Sequence, residues 1–391
     1  MVDVPVNGRV LEWARTERHL TPEAAAEILQ IDEDELLALE RGDHPPSIGR
    51  LRDMAAKYKL PFASLMMPEP LPQTARPKVD DYRTFEGKAP ELSFKLQRVL
   101  DDVWEQIDAL VDVRDNAPDL FRLAGELPHV TLNADPEKIA ATERERIGFS
   151  IDAQLGLEKA REAFLRWRAV LEKQGVFVRI ENLGNQDNCR GFAVYDDRQI
   201  PLIFLNSDDS DEDADYRART FSLLHEYYHL LLRQTALSDH KRSNKIEAIC
   251  NQFAAFFLMP RERFLLECQR LHVQQGNITE ANVKKLAEKF HTSMSSVAIH
   301  LERVGIAKPG LYETLLEDWK KRTRRKSTGR ANHEERLANK LGVGFLNLVL
   351  RAADRGLLNK LDVYEMTAVK PKYLDSVTAE VTARIAAYGG A

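Results

Sequence analysis

The stretch Phe221-Ser222-Leu223-Leu224-His225-Glu226-Tyr227-Tyr228-His229-Leu230-Leu231-Leu232 decides how this chain is read. Its apolar residues predict a buried helix, and on a helix side chains four apart share a face. His225 and His229 can therefore reach one metal ion together. Glu226 stands beside them, close enough to take a proton from a water that the metal activates. Zinc suits such nitrogen ligands, needs a third protein ligand and keeps its fourth position open for water. The competing reading is a core helix whose two histidines are merely buried and hydrogen-bonded. A chain of this histidine and glutamate content would show the motif by chance about 0.02 times, so the metal reading is preferred.

The third ligand is expected on a neighbouring helix. Ile246-Glu247-Ala248-Ile249-Cys250-Asn251-Gln252-Phe253-Ala254-Ala255-Phe256-Phe257-Leu258-Met259-Pro260 has strong helical spacing. A glutamate in so apolar a helix either points outward or is buried because it binds something charged. The residues from 230 to 246 leave room for a turn and a return to His229. Asp239 and His240, in the connecting segment, are the alternative ligands. Asn251, one helical turn after Glu247, is placed to hold a histidine ligand from behind. A developing oxyanion also needs a donor, and Tyr216, Tyr228, Arg219 and His240 are candidates among which the sequence does not choose. Cys250 lies near enough to sense oxidation at a metal, but a small buried helix residue is the plainer account.

Ahead of this region the periodicity is different. Val176-Phe177-Val178-Arg179-Ile180, Gly191-Phe192-Ala193-Val194-Tyr195 and Ile200-Pro201-Leu202-Ile203-Phe204-Leu205 are short β-rich runs separated by Gly, Asn and Asp. They predict a small, mostly antiparallel sheet. Helical spacing precedes them at 92–115 and 152–173, and resumes after the acidic segment Asp208–Asp215. The order is α, then β, then α, an α+β core with a helical domain ahead of it. In the first 70 residues, Thr21-Pro22-Glu23 gives an N-cap with proline at the first helical position. Asp32-x-x-Glu35 has capping-box spacing, Gly42 a helix stop, and Ser47 caps a helix carrying Leu51, Met54, Ala55 and Tyr58. Short helices with tight turns suit a helix-turn-helix. Prolines 61, 68, 70, 72 and 77 place a linker at roughly 67–80. Lys320-Lys321-Arg322-Thr323-Arg324-Arg325-Lys326 reads as a solvated linker into a final helical segment at about 334–385.

The 391 residues are 43% hydrophobic and 30% charged, which excludes collagen-like, disordered and disulfide-scaffold proteins. The longest uninterrupted apolar stretch, Phe253–Met259, is far too short to span a membrane. Three cysteines, no basic-then-apolar leader and no span lead to the expectation of a cytoplasmic protein. The net charge of −5 disfavours bulk nucleic-acid affinity. Residues 1–70 hold eight basic against thirteen acidic side chains. Asp32-Glu33-Asp34-Glu35 would open the recognition helix, where phosphate repels carboxylate. The N-terminal module is therefore read as a protein-interaction or regulatory domain in preference to a strong DNA reader.

The motif His225–His229 resembles the ImmA/IrrE family of bacterial zinc metallopeptidases. So do Glu247-x-x-x-Asn251-x-Phe253-Ala254 and Leu258-Met259-Pro260. Trp167, Glu172, Gly175, Arg190-Gly191-Phe192, Asn206 and Arg219-x-Phe221 add to the likeness. The N-terminal helices, with Leu39-Glu40-Arg41-Gly42 and Pro45-Pro46, resemble the Xre/Cro-type helix-turn-helix often fused to such peptidases, and Asp81-Tyr82-Arg83-Thr84-Phe85 resembles their junction. The resemblance implies a zincin-like core with a gluzincin-like site, in which His225, His229 and Glu247 hold Zn2+ and Glu226 is the general base. It implies an endopeptidase whose substrate is a regulatory protein, a helix-turn-helix repressor. The expected domains are 1–66 helix-turn-helix, 67–130 linker and helical connector, 131–310 peptidase, and 311–391 basic linker and C-terminal helices. The alternative function is a DNA-binding regulator or antitoxin-like partner protein with a structural or sensory metal. A homodimer is compatible with either.

Overall fold

The computed structural model describes residues 4–18, 20–58, 60–70, 94–121, 127–183, 189–207, 213–233, 240–320 and 332–388. The chain divides into two compact units, Met1–Pro77 with Lys88–Asp102, and Lys78–Gly87 with Val103–Ala391.

The first unit contains α1 (Gly8–Thr16), α2 (Pro22–Leu29), α3 (Glu33–Arg41), α4 (Ile48–Tyr58) and a 3-10 turn, Phe62–Met66. The capping residues act locally. Thr21 accepts from the Ala24 amide, Ser47 from the Arg50 amide, and Gly42 ends α3 at φ 79°. The capping box at Asp32 does not form: Asp32 makes no side-chain cap bond, and Glu35 instead lies 3.4 Å from Arg50. Leu11, Leu36, Leu39, Leu51, Met54, Tyr58 and Leu65 make the core. A buried ion pair crosses it, Arg15 to both carboxylate oxygens of Glu40 at 2.7 and 2.9 Å. Removing either partner would strand a buried charge. Asp32, Glu33, Asp34 and Glu35 are all exposed.

Helix α5 (Phe94–Asn116) buries Leu96, Val99, Val103, Ile107 and Leu110 at the predicted spacing. The second unit continues with α6 (Pro136–Ile147), α7 (Ile151–Leu155) and α8 (Ala160–Lys173), then β1 (Phe177–Glu181), β2 (Gly191–Val194) and β3 (Leu202–Asn206). After them come α9 (Asp213–Leu231), α10 (His240–Leu258), α11 (Arg261–Arg270), α12 (Glu280–Phe290), α13 (Met294–Arg303) and α14 (Leu311–Lys320). The last helices are α15 (His333–Leu341), α16 (Val343–Asp354), α17 (Lys360–Thr367) and α18 (Leu374–Tyr388). The single helix expected over 152–173 is two helices, because Gly156 closes α7 and Lys159 caps α8 in extended backbone. No described helix is long and apolar enough to cross a membrane.

The sheet order is β1-β3-β2. β2 and β3 are antiparallel, as expected of a tight connection, but β1 and β3 are parallel. The expectation of a mostly antiparallel sheet is thus corrected. β3 inserts between the two earlier strands, so only one of the two pairings joins strands adjacent in sequence. β1 is an edge strand, and Phe177 N–H and the Glu181 carbonyl bond toward the β3 side. Alternation along the strand turns the Val178 carbonyl to the free edge, where it accepts from Arg168 Nη2.

That edge is covered by the C-terminal helices. Lys340 pairs with Glu181 at 2.9 Å, and Arg168 Nη1 donates to the Asn339 carbonyl at 2.7 Å. Arg168 and Glu172 form a fully buried pair, and Gly344 N–H donates to Glu172 at 2.9 Å. Gly342 adopts φ +91°, and a Cβ there would lie 2.7 Å from Glu172 Oε1 and 2.9 Å from the Val178 carbonyl. Only glycine fits this junction.

Candidate metal centre

Two helices packed against each other, α9 and α10, build the centre. α9 is held at its end by Val130 N–H, which donates to the Leu231 carbonyl at 2.8 Å. The last carbonyls of α10, left over before Pro260, are taken up by buried side chains. Arg144 donates to the Phe257 carbonyl at 2.7 Å and Gln154 to that of Leu258 at 3.1 Å. Arg144 also lies over the rings of Trp167 and Phe257, and burial lowers its pKa to about 10. The two helices are thereby fixed in register.

His225, Glu226 and His229 are all buried. The Nε2 atoms of His225 and His229 lie 3.2 Å apart. Glu247, on α10, brings Oε2 to 3.2 Å from His225 Nε2 and Oε1 to 3.2 Å from His229 Nε2. Ligands 2.0–2.1 Å from a tetrahedral zinc lie about 3.3 Å from one another, so this donor set fits zinc. Burial works to raise the Glu247 carboxyl pKa, but the two imidazoles override it and hold the group far below the usual carboxylate range. The Asn251 Oδ1 stands 2.9 Å from His225 Nδ1. An Nδ1–H donated to that oxygen assigns the tautomer and leaves the Nε2 lone pair facing Glu247 and His229.

Cys250 offers a competing third donor, since its Sγ and the two histidine ligand atoms lie within 4.8 Å of one another. Glu247 is the better fit. It reaches both Nε2 atoms at the spacing a shared ion demands, whereas a thiolate sharing tetrahedral zinc with a nitrogen lies about 3.6 Å from it.

Glu226 faces the sheet. A Cβ on Gly191, at the start of β2, would stand 3.2 Å from Glu226 Cγ and 2.7 Å from the Phe204 carbonyl. Absence of a side chain at Gly191 is what lets the glutamate and the strand meet. Tyr227 is fully buried with its hydroxyl fixed by α6, donating to Glu143 at 2.8 Å and accepting from Arg146 at 2.8 Å. Nothing in the local sequence announces that tie; its signal is the Glu143-x-x-Arg146 spacing on a helix.

The four oxyanion candidates fare differently. Tyr216 precedes His225 by nine residues, about 13 Å along the helix axis, and packs against Phe164. Arg219 donates to Ser207 Oγ at 3.0 Å and lies over the Tyr216 ring, tying α9 to the end of β3. Tyr228 stacks on Phe253 with ring centroids 4.3 Å apart, and its hydroxyl is buried away from solvent. The His240 side chain and Asp239 lie outside the described residues. So do the linker from residue 71, the junction Asp81–Phe85 and the basic run beyond Lys320.

Asn206 is structural, accepting from Leu183 N–H and donating to the Cys189 carbonyl, both at 2.8 Å. Val283, Leu286, Ala287, Phe290, Val297 and Leu301 are buried in the same core cluster as Leu223, Leu224 and Phe253.

Comparison with known proteins places this centre inside one matched segment. Residues 171–302 match the family model described as Peptidase_M78, IrrE N-terminal-like domain. No curated protein matches the chain. The matched segment covers β1 to α13 and all of His225, Glu226, His229 and Glu247, and it supports the resemblance to ImmA/IrrE peptidases.

Proposed function

We propose that this chain is a zinc-dependent endopeptidase, with His225, His229 and Glu247 as the metal ligands and Glu226 as general base. The observation that carries the reading is the convergence of two Nε2 atoms and one carboxylate at 3.2 Å from one another. When bound, the ion polarises a peptide carbonyl and makes water a stronger acid. The rest falls to the chain's own groups. Asn251 orients the His225 ring through Nδ1. Glu226, buried beside the ligands, takes the proton of the attacking water and returns it to the leaving amine. The close strand at Gly191 limits where that carboxylate can move.

The substrate class is a regulatory protein bearing a helix-turn-helix, supported by the family likeness of residues 171–302 and the short-helix unit ahead of them. A DNA-binding regulator with a structural or sensory metal is the second reading. The exposed run Asp32–Glu35 at the start of α3 counts against it, because it would set four carboxylates toward phosphate. The deciding experiment compares wild type with Glu226→Gln for zinc content and for cleavage of helix-turn-helix repressor substrates. One zinc in both proteins with cleavage lost in the variant is expected. Undiminished cleavage by the variant would end the peptidase assignment of Glu226.

A further inference from the structure

Inside the same centre sits a side chain for which three-ligand chemistry has no use. Cys250 is fully buried on α10, three residues after Glu247 and one before Asn251. Its sulfur lies within 4.8 Å of the ligand atoms of both histidines. The other cysteines, Cys189 and Cys268, belong to no such group among the described residues. A second, independent feature lies next to it. The Tyr228 hydroxyl is buried without a hydrogen-bond partner, which is costly for a hydroxyl that water cannot reach. The Tyr228 ring stacks on Phe253, one helical turn beyond Cys250 on α10, with centroids 4.3 Å apart. A buried O–H donor that lacks an acceptor, beside a sulfur among metal ligands, is the arrangement expected of a thiolate that becomes a ligand.

We propose that Cys250 is a fourth metal donor of this centre, its thiolate hydrogen-bonded by Tyr228, so that at rest the ion is closed by His225, His229, Glu247 and Cys250. The proposal rests on the metal-binding reading above and adds regulation to it. A four-coordinate tetrahedral ion with four protein ligands has no open position, as in structural zinc sites. Closing the site forms one sulfur–metal bond, breaks the bond from the metal to water, and passes the thiol proton to solvent. Opening reverses each step, with no change of oxidation state. The thiolate must move about 1 Å closer than the outer limit of its present spacing to share tetrahedral zinc with the imidazoles. That is within the reach of a side-chain torsion.

Cobalt(II) is the probe, because thiolate ligation gives an intense near-ultraviolet charge-transfer band that nitrogen and oxygen ligands do not. The full chain, stripped with a chelator, is titrated with Co2+. One equivalent is expected to produce both the visible ligand-field bands and the charge-transfer band. In Cys250→Ser the charge-transfer band should vanish while the visible bands persist. Cys189→Ser and Cys268→Ser should keep both, and Tyr228→Phe should move the charge-transfer band to lower energy. Visible bands without charge transfer in wild type would overturn the proposal and leave the three-ligand centre standing. No cobalt bound at all would overturn both. A wild-type band that survives Cys250→Ser would assign the thiolate elsewhere and refute Cys250.

Discussion

Truncating Asn251 to alanine isolates the contribution of ligand orientation to metal affinity. In the native centre the amide oxygen sits 2.9 Å from His225 Nδ1 and fixes the tautomer whose Nε2 faces Glu247 and His229. Partners of this kind are generally worth about 10- to 100-fold in metal affinity. His225 is buried but Asn251 is exposed, so water can take over part of the lost bond. The lower end is therefore expected, about tenfold, or about 1.4 kcal/mol. Asn251→Asp supplies a charged acceptor in the same place and should tighten binding, since charge-assisted bonds are roughly twice as strong. Competition with a chromophoric zinc chelator reads both changes directly. Alanine and aspartate variants that bind zinc as wild type does would refute the idea that Asn251 acts through His225.

Other perturbations act on different parts of the molecule. Glu247→Ala should reduce zinc from near one per chain to well below it by elemental analysis; full retention would make Cys250 or a residue outside the described set the third ligand. Gly342→Ala forces a strained backbone and a Cβ into Glu172 and the Val178 carbonyl, a loss of about 2–5 kcal/mol; an unchanged thermal midpoint would contradict the packing. His300, fully buried with Phe256 and Phe264 edge-on to its ring, has its pKa lowered to about 3 by burial. The unfolded chain takes up a proton near pH 6.5 that the folded chain refuses, so stability falls as pH drops from about 6.5 toward 3. Denaturation at several pH values should show this slope in wild type and a shallower one in His300→Gln, and parallel slopes would remove His300 as its cause. The acidic first unit predicts no retardation of DNA at moderate salt in a gel-shift assay.

The parts of the centre legible in the sequence are those fixed by helical spacing. Two histidines four apart, and Glu247 and Asn251 four apart, state their common faces before any tertiary structure exists. Thr21, Gly42 and Ser47 are legible for the same reason, since capping is local. What was not legible depends on partners far along the chain. The β1–β3 pairing needs β3 to enter between strands that precede it. Tyr227 finds Glu143 and Arg146 across 84 and 81 positions. Asp32 had the right spacing for a cap, and Arg50 drew Glu35 away from it. Residue type alone suggested Tyr216 and Arg219 as oxyanion donors, and it could not show that Tyr216 packs against Phe164 or that Arg219 donates to Ser207.

The junction at Gly342 has a consequence for synthesis. Arg168 and Glu172 are sealed from water only once Asn339, Gly342 and Gly344 arrive, and those residues are made about 170 positions later. A nascent chain that has emerged through α13 already carries every proposed ligand, yet the outer edge of β1 lies bare and its neighbouring ion pair is unprotected. Until the last helices dock, the open strand edge is a place where a chaperone or a second nascent chain can bind.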